Sequence, residues 1–99
     1  MWKKFCKASA VEAGKSLVVD IEGRAVALFN AGGRFFAIDN ICPHRGGPLG
    51  EGSLDGTQVT CPWHAWVFDL KTGACDQDET FKQKTYPVKV EAGEIFLEL

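Results

Sequence analysis

The sequence predicts an all-β protein, an antiparallel β-barrel or sandwich into which one loop-rich segment is inserted. Apolar residues occur in short runs of β-branched and aromatic side chains, and glycine, Asp or Asn separates successive runs. The spacing typical of an amphipathic helix is missing. With 99 residues and 11 glycines, the chain fits one domain, residues 1–99, in which tight turns are frequent.

Strands are predicted wherever such an apolar run occurs. The predicted strands cover residues 2–6, 16–21, 24–30, 34–38, 58–61, 66–70, 86–91 and 94–99. The first is expected at a sheet edge with one solvated face, because lysines alternate there with Trp2, Phe5 and Cys6. Glu22-Gly23 is predicted to be a tight turn in which glycine supplies a positive φ.

The end of the chain and its middle predict different structures. The last two strands predict a half-buried hairpin, whose alternating apolar residues are Val88, Val90, Ile95 and Leu97. Residues 39–56 are dense in glycine, proline, Asp and Asn, so no regular structure is expected there. We therefore expect a loop-rich subdomain over residues 39 to about 76.

Composition and charge argue against several classes of function. The net charge is −2 and no basic stripe occurs, so nucleic-acid binding is not expected. No apolar run approaches the roughly 20 residues of a membrane span, and the N-terminus lacks the apolar stretch of a secretory signal. The 4 cysteines could form disulfides in a secreted protein, but two of them lie beside histidines at metal-ligand spacing. We therefore expect a reducing compartment, the cytoplasm.

Two short segments carry the candidate chemistry, C-P-H at residues 42–44 and C-P-W-H at residues 61–64, which together read C-x-H-x16-C-x2-H. The candidate ligands are Cys42, His44, Cys61 and His64. Two thiolates on one iron and two neutral imidazoles on the other would satisfy a [2Fe–2S] cluster. The oxidised cluster would then be neutral, so it would be reduced more easily than one with four thiolates. The same residues could instead hold a structural zinc ion, although C-x-H is an unusual zinc half-site.

Together with its surroundings, this motif resembles the Rieske ferredoxin family. The resemblance includes C-P-W-H-A-W at residues 61–66, F-D at 68–69, T-G at 72–73 and Y-P-V at 86–88. It implies stacked antiparallel sheets with one [2Fe–2S] cluster at one tip. The two histidines of the motif would then lie at the exposed end of the cluster.

The resemblance also implies a function. It predicts a soluble one-electron carrier that accepts electrons from a flavin-containing reductase and delivers them to a terminal oxygenase or another oxidoreductase. No catalytic apparatus is evident in the sequence, so no enzyme activity of its own is expected. The chain also resembles the small subunits of nitrite-reductase-like complexes, many of which lack the ligands that this chain retains. A structural zinc domain is the third alternative.

Comparison with the Rieske proteins of respiratory and photosynthetic complexes implies a low reduction potential. Those proteins have a further cysteine in each ligand loop, and the corresponding positions here are Gly47 and Trp63. They also have hydroxyl side chains that donate to cluster sulfur, where this chain has Trp66 and Phe68. Hydrogen bonds to sulfur stabilise the reduced state, so their loss predicts a potential of about −150 mV.

Residues around the motif have predicted supporting roles. The backbone amides expected to donate to cluster sulfur are those of Arg45, Gly46, Gly47 and Ala65. Trp63 and Trp66 are predicted to pack the ligand loops against the barrel, and Pro48-Leu49 is predicted to cover the first loop.

Two further features have no assigned place in the motif. Cys6 and Cys75 match no ligand position and are expected to be small buried hydrophobic residues. The acidic segment at residues 76–79 predicts either a docking surface for a basic partner, a charge that opposes reduction, or a solvated loop.

Overall fold

The computed structural model of the chain describes residues 1–43, 46–63 and 65–99. Its strands are β1 (Trp2–Lys7), β2 (Ser16–Ile21), β3 (Arg24–Ala31), β4 (Arg34–Asp39), β5 (Ser53–Asp55), β6 (Gln58–Thr60), β7 (Val67–Asp69), β8 (Thr85–Tyr86), β9 (Val88–Glu91) and β10 (Glu94–Glu98). Short turns of 3-10 helix cover Ala8–Ala10 and Leu49–Glu51. The described ranges contain no α-helix, which confirms the all-β prediction.

In those ranges the strands form three antiparallel sheets. Their orders are β1-β10-β9, β2-β3-β4-β8 and β5-β6-β7. β1 lies at a sheet edge, as predicted. The strand has a bulge between Lys4 and Cys6, and Trp2, its first residue, is 40% exposed. No helix in the described part of the chain is long and apolar enough to cross a membrane.

The sheet β2-β3-β4-β8 is the middle layer of the molecule, with a hydrophobic core on each face. The hairpin-side core comprises Val11, Val26, Leu28, Ala37, Tyr86, Ile95 and Leu97. The loop-side core comprises Ala27, Phe29, Ile38, Cys42, Leu49, Val59, Cys61, Phe68, Leu70 and Cys75. Successive residues of β3 therefore enter opposite cores, because side chains alternate across a strand. This explains the continuous apolar run in that strand.

The hairpin turns use residues with positive φ. Glu22 has φ 51° and Gly23 has φ 83°, the pattern of a two-residue turn whose twist matches the strands it joins. The prediction for this turn is confirmed. Ala92 and Gly93 repeat the pattern, with φ 51° and 76°, between β9 and β10.

The prediction that residues 39–56 have no regular structure is wrong. β5 lies within that segment and pairs with β6 through Leu54 opposite Val59. Leu54 packs against the loop-side core, and Gly56, with φ 61°, reverses the chain after Asp55. Glycine at the first position of a two-residue loop favours a hairpin, and the density of glycine in this segment obscured that signal.

Two details of the C-terminal prediction also differ from the structure. The predicted strand at 86–91 is divided at Pro87 into β8 and β9, which belong to different sheets. Proline has no N–H to donate to a strand ladder, so the chain changes sheet there. In the terminal hairpin, Ile95 and Leu97 are fully buried, but Val90 is 49% exposed.

A buried tyrosine in β8 is hydrogen-bonded to the last residue of β4, from which the chain continues toward the first ligand loop. The hydroxyl of Tyr86 donates a hydrogen bond to Asp39 Oδ1, and Arg24 donates to that hydroxyl at 3.4 Å. Burial, and then the hydrogen bond to Asp39, raises the pKa of the Tyr86 hydroxyl above its ordinary value of about 10. The proton is therefore held more tightly in the folded state than in the unfolded state.

Replacing Tyr86 by phenylalanine is expected to lower the free energy of unfolding by about 2 kcal/mol at pH 7, because a hydrogen bond to a charged group is lost. The raised pKa means that the tyrosine contribution is complete below about pH 10 and declines as pH rises through the folded-state pKa. Urea titrations of both proteins from pH 7 to 11 measure this. If the difference in the free energy of unfolding between the two proteins stayed constant up to pH 11, the pKa of Tyr86 would not be raised by folding.

Candidate metal centre

The first ligand loop is closed by two backbone hydrogen bonds around Cys42. The N–H of Cys42 donates to the carbonyl of Gly47 at 2.8 Å, and the N–H of Gly46 donates to the carbonyl of Cys42 at 2.8 Å. Gly46 adopts a left-handed conformation with φ 77°. The loop therefore turns tightly enough to bring its ends together beside the cysteine.

The second ligand loop repeats the same backbone pattern. The N–H of Cys61 donates to the carbonyl of Trp66 at 2.7 Å, and the N–H of Ala65 donates to the carbonyl of Cys61 at 3.0 Å. Ala65 occupies the position equivalent to Gly46 and has φ 57°. A left-handed alanine costs about 1–2 kcal/mol relative to an ordinary conformation, so the loop conformation is imposed by its surroundings.

Both cysteines of the motif are buried and lie in one core. Cys42 is 2% exposed and Cys61 is 1% exposed, and both belong to the loop-side core. The first loop lies directly against the second cysteine, because a Cβ added at Gly47 would be 2.7 Å from the Sγ of Cys61. The fold therefore brings the two predicted thiol ligands into the same buried region from separate loops.

The other half of the predicted ligand set lies outside the described residues. His44 and His64, and also Arg45, are not within the ranges 1–43, 46–63 and 65–99. Two buried thiols on facing loops fit the thiolate half of a [2Fe–2S] centre, for which soft sulfur ligands are required. The same pair also fits half of a tetrahedral zinc site.

The prediction for backbone amides is altered by the loop geometry. The N–H groups of Gly46 and Ala65 already donate to the carbonyls of Cys42 and Cys61. These two donors are therefore engaged within their own loops. Gly47, whose backbone lies against the Cys61 sulfur, stays a predicted donor, and so does Arg45, which lies outside the described residues.

The two tryptophans of the second loop have different roles. Trp66 packs edge-on against Phe81, with ring centroids 5.4 Å apart, and it contacts the loop-side core, which confirms the predicted packing. Trp63 is 59% exposed, so the prediction that it packs against the barrel is wrong. A Cβ added at Gly47 would lie 3.0 Å from Cγ of Trp63, so Trp63 instead contacts the opposite ligand loop.

The contact between Gly47 and Trp63 joins the two ligand loops where high-potential Rieske proteins are expected to have a disulfide. These are the two positions that the resemblance assigns to the extra cysteines of high-potential Rieske proteins, and here they lie against each other. No disulfide joins any of the four cysteines, all of which lie within the described ranges. The two ligand loops are therefore in contact through Gly47 and Trp63 without a disulfide.

Residues outside the motif support the first loop at its base. The N–H of Leu49 donates to the carbonyl of Asn40 at 2.8 Å, and the N–H of Gly50 donates to Oδ1 of Asn40 at 2.7 Å. Pro48-Leu49 was predicted to cover the first loop. Leu49 is instead fully buried and is part of the loop-side core. Asn40 is 8% exposed, and sequence reasoning missed its role because a lone Asn before a loop has many uses.

The acidic segment is folded against the second loop. Gln77 Oε1 accepts a hydrogen bond from the N–H of Val67 at 2.7 Å, and Asp78 accepts one from the N–H of Thr80 at 2.9 Å. Asp76 and Glu79 are exposed. The segment therefore has internal structure, while two of its carboxylates face solvent.

The two remaining cysteines are not part of the loops. Cys75 is 5% exposed and packs in the loop-side core, which confirms the prediction of a small buried hydrophobic residue. Cys6 is only partly buried, and its burial raises the pKa of the thiol. A raised pKa keeps the thiol protonated and therefore weakly nucleophilic.

Most of the chain matches a known protein family. The family model of the Rieske [2Fe-2S] domain matches residues 1–89. The ferredoxin component of the p-cumate 2,3-dioxygenase system of Pseudomonas putida is 41% identical over 98 residues, which is 96% of this chain and 83% of the relative. The 3-phenylpropionate/cinnamic acid dioxygenase ferredoxin subunit of Escherichia coli (strain K12) is 44% identical over 96 residues, 95% of this chain and 90% of the relative.

Solved structures show the same similarity in three dimensions. The ferredoxin of Sphingomonas yanoikuyae B1 matches with a TM-score of 0.90 and 33% identity, over 100% of this chain and 99% of that one. A complex of reduced oxygenase and oxidized ferredoxin in carbazole 1,9a-dioxygenase matches with a TM-score of 0.89 and 32% identity, over 97% and 91%. A putative NADH-dependent nitrite reductase small subunit from Mycobacterium tuberculosis matches with a TM-score of 0.89 and 27% identity, over 98% and 93%.

Proposed function

Because this chain belongs to the Rieske [2Fe–2S] domain family, we propose that it is a one-electron carrier with one [2Fe–2S] cluster held by Cys42, His44, Cys61 and His64. The observation that carries the proposal is the pair of buried cysteines, which occupy equivalent positions in two loops of the same backbone conformation. Each loop has a histidine two or three residues after its cysteine. The cluster, when bound, would supply reversible one-electron chemistry at iron.

The residues of the chain determine the environment of that centre. Cys42 and Cys61 are in the loop-side core, so their sulfur atoms are shielded from water, whereas the loops themselves carry exposed residues. Ile41 is 54% exposed and Trp63 is 59% exposed. The metal centre is therefore surrounded by apolar residues on the side of the two cysteines, and exposed residues lie next to it in the loops.

The family supports a carrier rather than an enzyme. Relatives that share 41% and 44% identity with this chain are ferredoxin components of dioxygenase systems. We infer that this chain likewise has no substrate site of its own and works in the cytoplasm as a single Rieske domain over residues 1–99, with its cluster-binding subdomain at about 39–76. A cluster with four protein ligands leaves no iron position open to a substrate.

The proposed partners are a flavin-containing reductase as donor and a terminal oxygenase as acceptor. The complex of an oxygenase with its ferredoxin in carbazole 1,9a-dioxygenase supports the acceptor, and the naming of relatives as components of dioxygenase systems is consistent with a separate donor. The alternative is a small subunit of a nitrite-reductase-like complex, which the similarity to the Mycobacterium tuberculosis protein favours. Electron transfer from the reduced, purified chain to a terminal oxygenase would support the carrier, whereas stable association with the large subunit of a nitrite reductase would support the alternative.

A low reduction potential follows from the same proposal. Phe68 is fully buried and, like Trp66, has no hydroxyl group to donate to sulfur. Hydrogen bonds to sulfur stabilise the reduced state, so we expect a value of about −150 mV, near the lower end of the Rieske range.

The test of the centre itself is chemical and spectroscopic. The protein purified without oxygen should contain iron and inorganic sulfide in a 1:1 ratio, and dithionite should produce the electron paramagnetic resonance signal of a reduced [2Fe–2S] cluster. A colourless protein that contains zinc and no sulfide would establish the structural zinc alternative and refute the carrier.

Replacing His64 by cysteine is expected to lower the reduction potential sharply or to prevent assembly of the cluster, since a third thiolate adds negative charge to the centre. Iron and sulfide content and potentiometry followed by optical absorption measure the effect, and Val90→Ala, a change at a side chain of the terminal hairpin that is 49% exposed, provides the control. A variant with the wild-type potential and spectrum would show that His64 is not a ligand.

A further inference from the structure

A buried glutamine connects the segment before the first ligand loop to the rest of the fold. Gln83 is 5% exposed. Its side-chain Nε2 donates hydrogen bonds to two carbonyl oxygens, those of Asp39 at 2.8 Å and Ile41 at 2.7 Å. Ile41 is the residue immediately before Cys42. Both N–H groups of the carboxamide are therefore used by the strand end that leads into the loop.

Gln83 is itself fixed by its neighbours. Its backbone N–H donates to the carbonyl of Gly73 at 2.7 Å, and its Oε1 accepts from the N–H of Lys84 at 3.2 Å. A Cβ added at Gly73, which has φ 82°, would collide with the backbone of Gln83. The turn after β7 thus holds the glutamine from one side while its side chain holds residues 39–41 from the other.

The two carbonyls need this donor. Both hydrogen bonds are partly shielded from water, and a carbonyl that is shielded from water without a partner is costly. Glutamine is also the residue type suited to the task, because a carboxamide offers two N–H groups from one nitrogen and carries no charge into the interior.

We propose that Gln83 is a positioning residue for the first ligand loop. By holding the backbone of residues 39–41, it sets the place and direction from which Cys42 enters the metal centre. The proposal rests on the proposed function only in naming the centre, because the positioning of the loop is a property of the polypeptide.

The first test measures the loop itself. In Gln83→Met, which keeps the length of the side chain and removes its donors, amide hydrogen exchange in a peptide spanning residues 39–50 should become about tenfold faster or more. Exchange in the strands β2 and β3 should keep its wild-type rate. Gln58→Met is the matched control, because the Gln58 amide donates to the exposed Asp76 side chain, at 3.4 Å, and not to the first ligand loop as the structure describes it.

The second test measures the centre. Loss of bound metal to a chelator should be about ten- to a hundredfold faster in Gln83→Met than in wild type or Gln58→Met, as is typical when a residue that orients a ligand is removed. If Gln83→Met does not fold, Gln83→Asn, whose shorter side chain cannot reach both carbonyls, replaces it in both tests.

Two results would overturn the proposal. One is unchanged exchange over residues 39–50, and the other is an increase spread evenly over the whole chain, which would indicate a purely global contribution to stability. A wild-type protein without iron and sulfide would instead refute the proposed electron carrier. Since the exchange experiment does not depend on the identity of the metal, the two failures are distinguishable.

Discussion

Replacing Cys61 by alanine is expected to abolish binding of the [2Fe–2S] cluster, whereas replacing Cys75 by alanine leaves it in place. Both thiols are buried, at 1% and 5% exposure, and both lie in the loop-side core. The two substitutions therefore remove the same atom from similar surroundings, and the loss of packing by itself should lower the free energy of unfolding by about 1 kcal/mol in each. Loss of the cluster should lower it further in Cys61→Ala. Only Cys61 lies in a ligand loop, facing the backbone of Gly47.

Iron and sulfide content, visible absorption and thermal unfolding of the two variants measure this difference. The comparison separates ligation from packing, since a packing defect alone would affect both variants equally. If Cys61→Ala retained the wild-type spectrum, or if Cys75→Ala lost it to the same extent, the assignment of the cysteine ligands would be wrong.

A methyl group at Gly47 is expected to reduce cluster incorporation about tenfold or more. The added Cβ would lie 2.7 Å from the Sγ of Cys61 and 3.0 Å from the Cγ of Trp63, so both neighbours must give way or the loop that carries residue 47 must shift. Trp63 is 59% exposed and can move toward solvent, but a sulfur that is bonded to metal cannot do so without changing its coordination. Displaced ligands in comparable sites lower metal affinity by about ten- to a hundredfold.

Gly14→Ala is the control for this experiment. Gly14 has φ 83°, and a Cβ there would meet nothing within 4 Å, so alanine costs about 1–2 kcal/mol of conformational strain without touching the loops. We expect this variant to be less stable and to bind a full complement of cluster. Normal iron and sulfide content in Gly47→Ala, measured after identical expression and reconstitution, would show that the loop accommodates the methyl group.

Local patterns predicted most of the strands, because strands and their turns depend on short stretches of chain. Glu22-Gly23 is a tight turn with positive φ at both positions, and β2 has the predicted bounds. The errors arise where a local signal is ambiguous. Residues 53–55 form a strand because Leu54 packs against the loop-side core. That contact involves distant residues, so it cannot be predicted from the glycine-rich segment itself.

The candidate site shows the same division. Cysteine and histidine at fixed spacings predict a metal centre from the sequence, since ligand chemistry depends on residue types. The spacing does not reveal that Gly46 and Ala65 share one conformation, nor that Gly47 contacts Trp63. Those facts depend on how two loops, 19 positions apart at their cysteines, approach each other in space.

By itself, the sequence determined the all-β class, the family and the four candidate ligands, because each of these depends on residue types and their order along the chain. Only the tertiary structure decided that both cysteines are buried in one core, that Trp63 is exposed, and that Gln83 supports a segment more than forty residues before it. The physical reason is that burial and hydrogen-bond partnership are relations between distant segments. They arise only when a sheet with a core on each face brings those segments together.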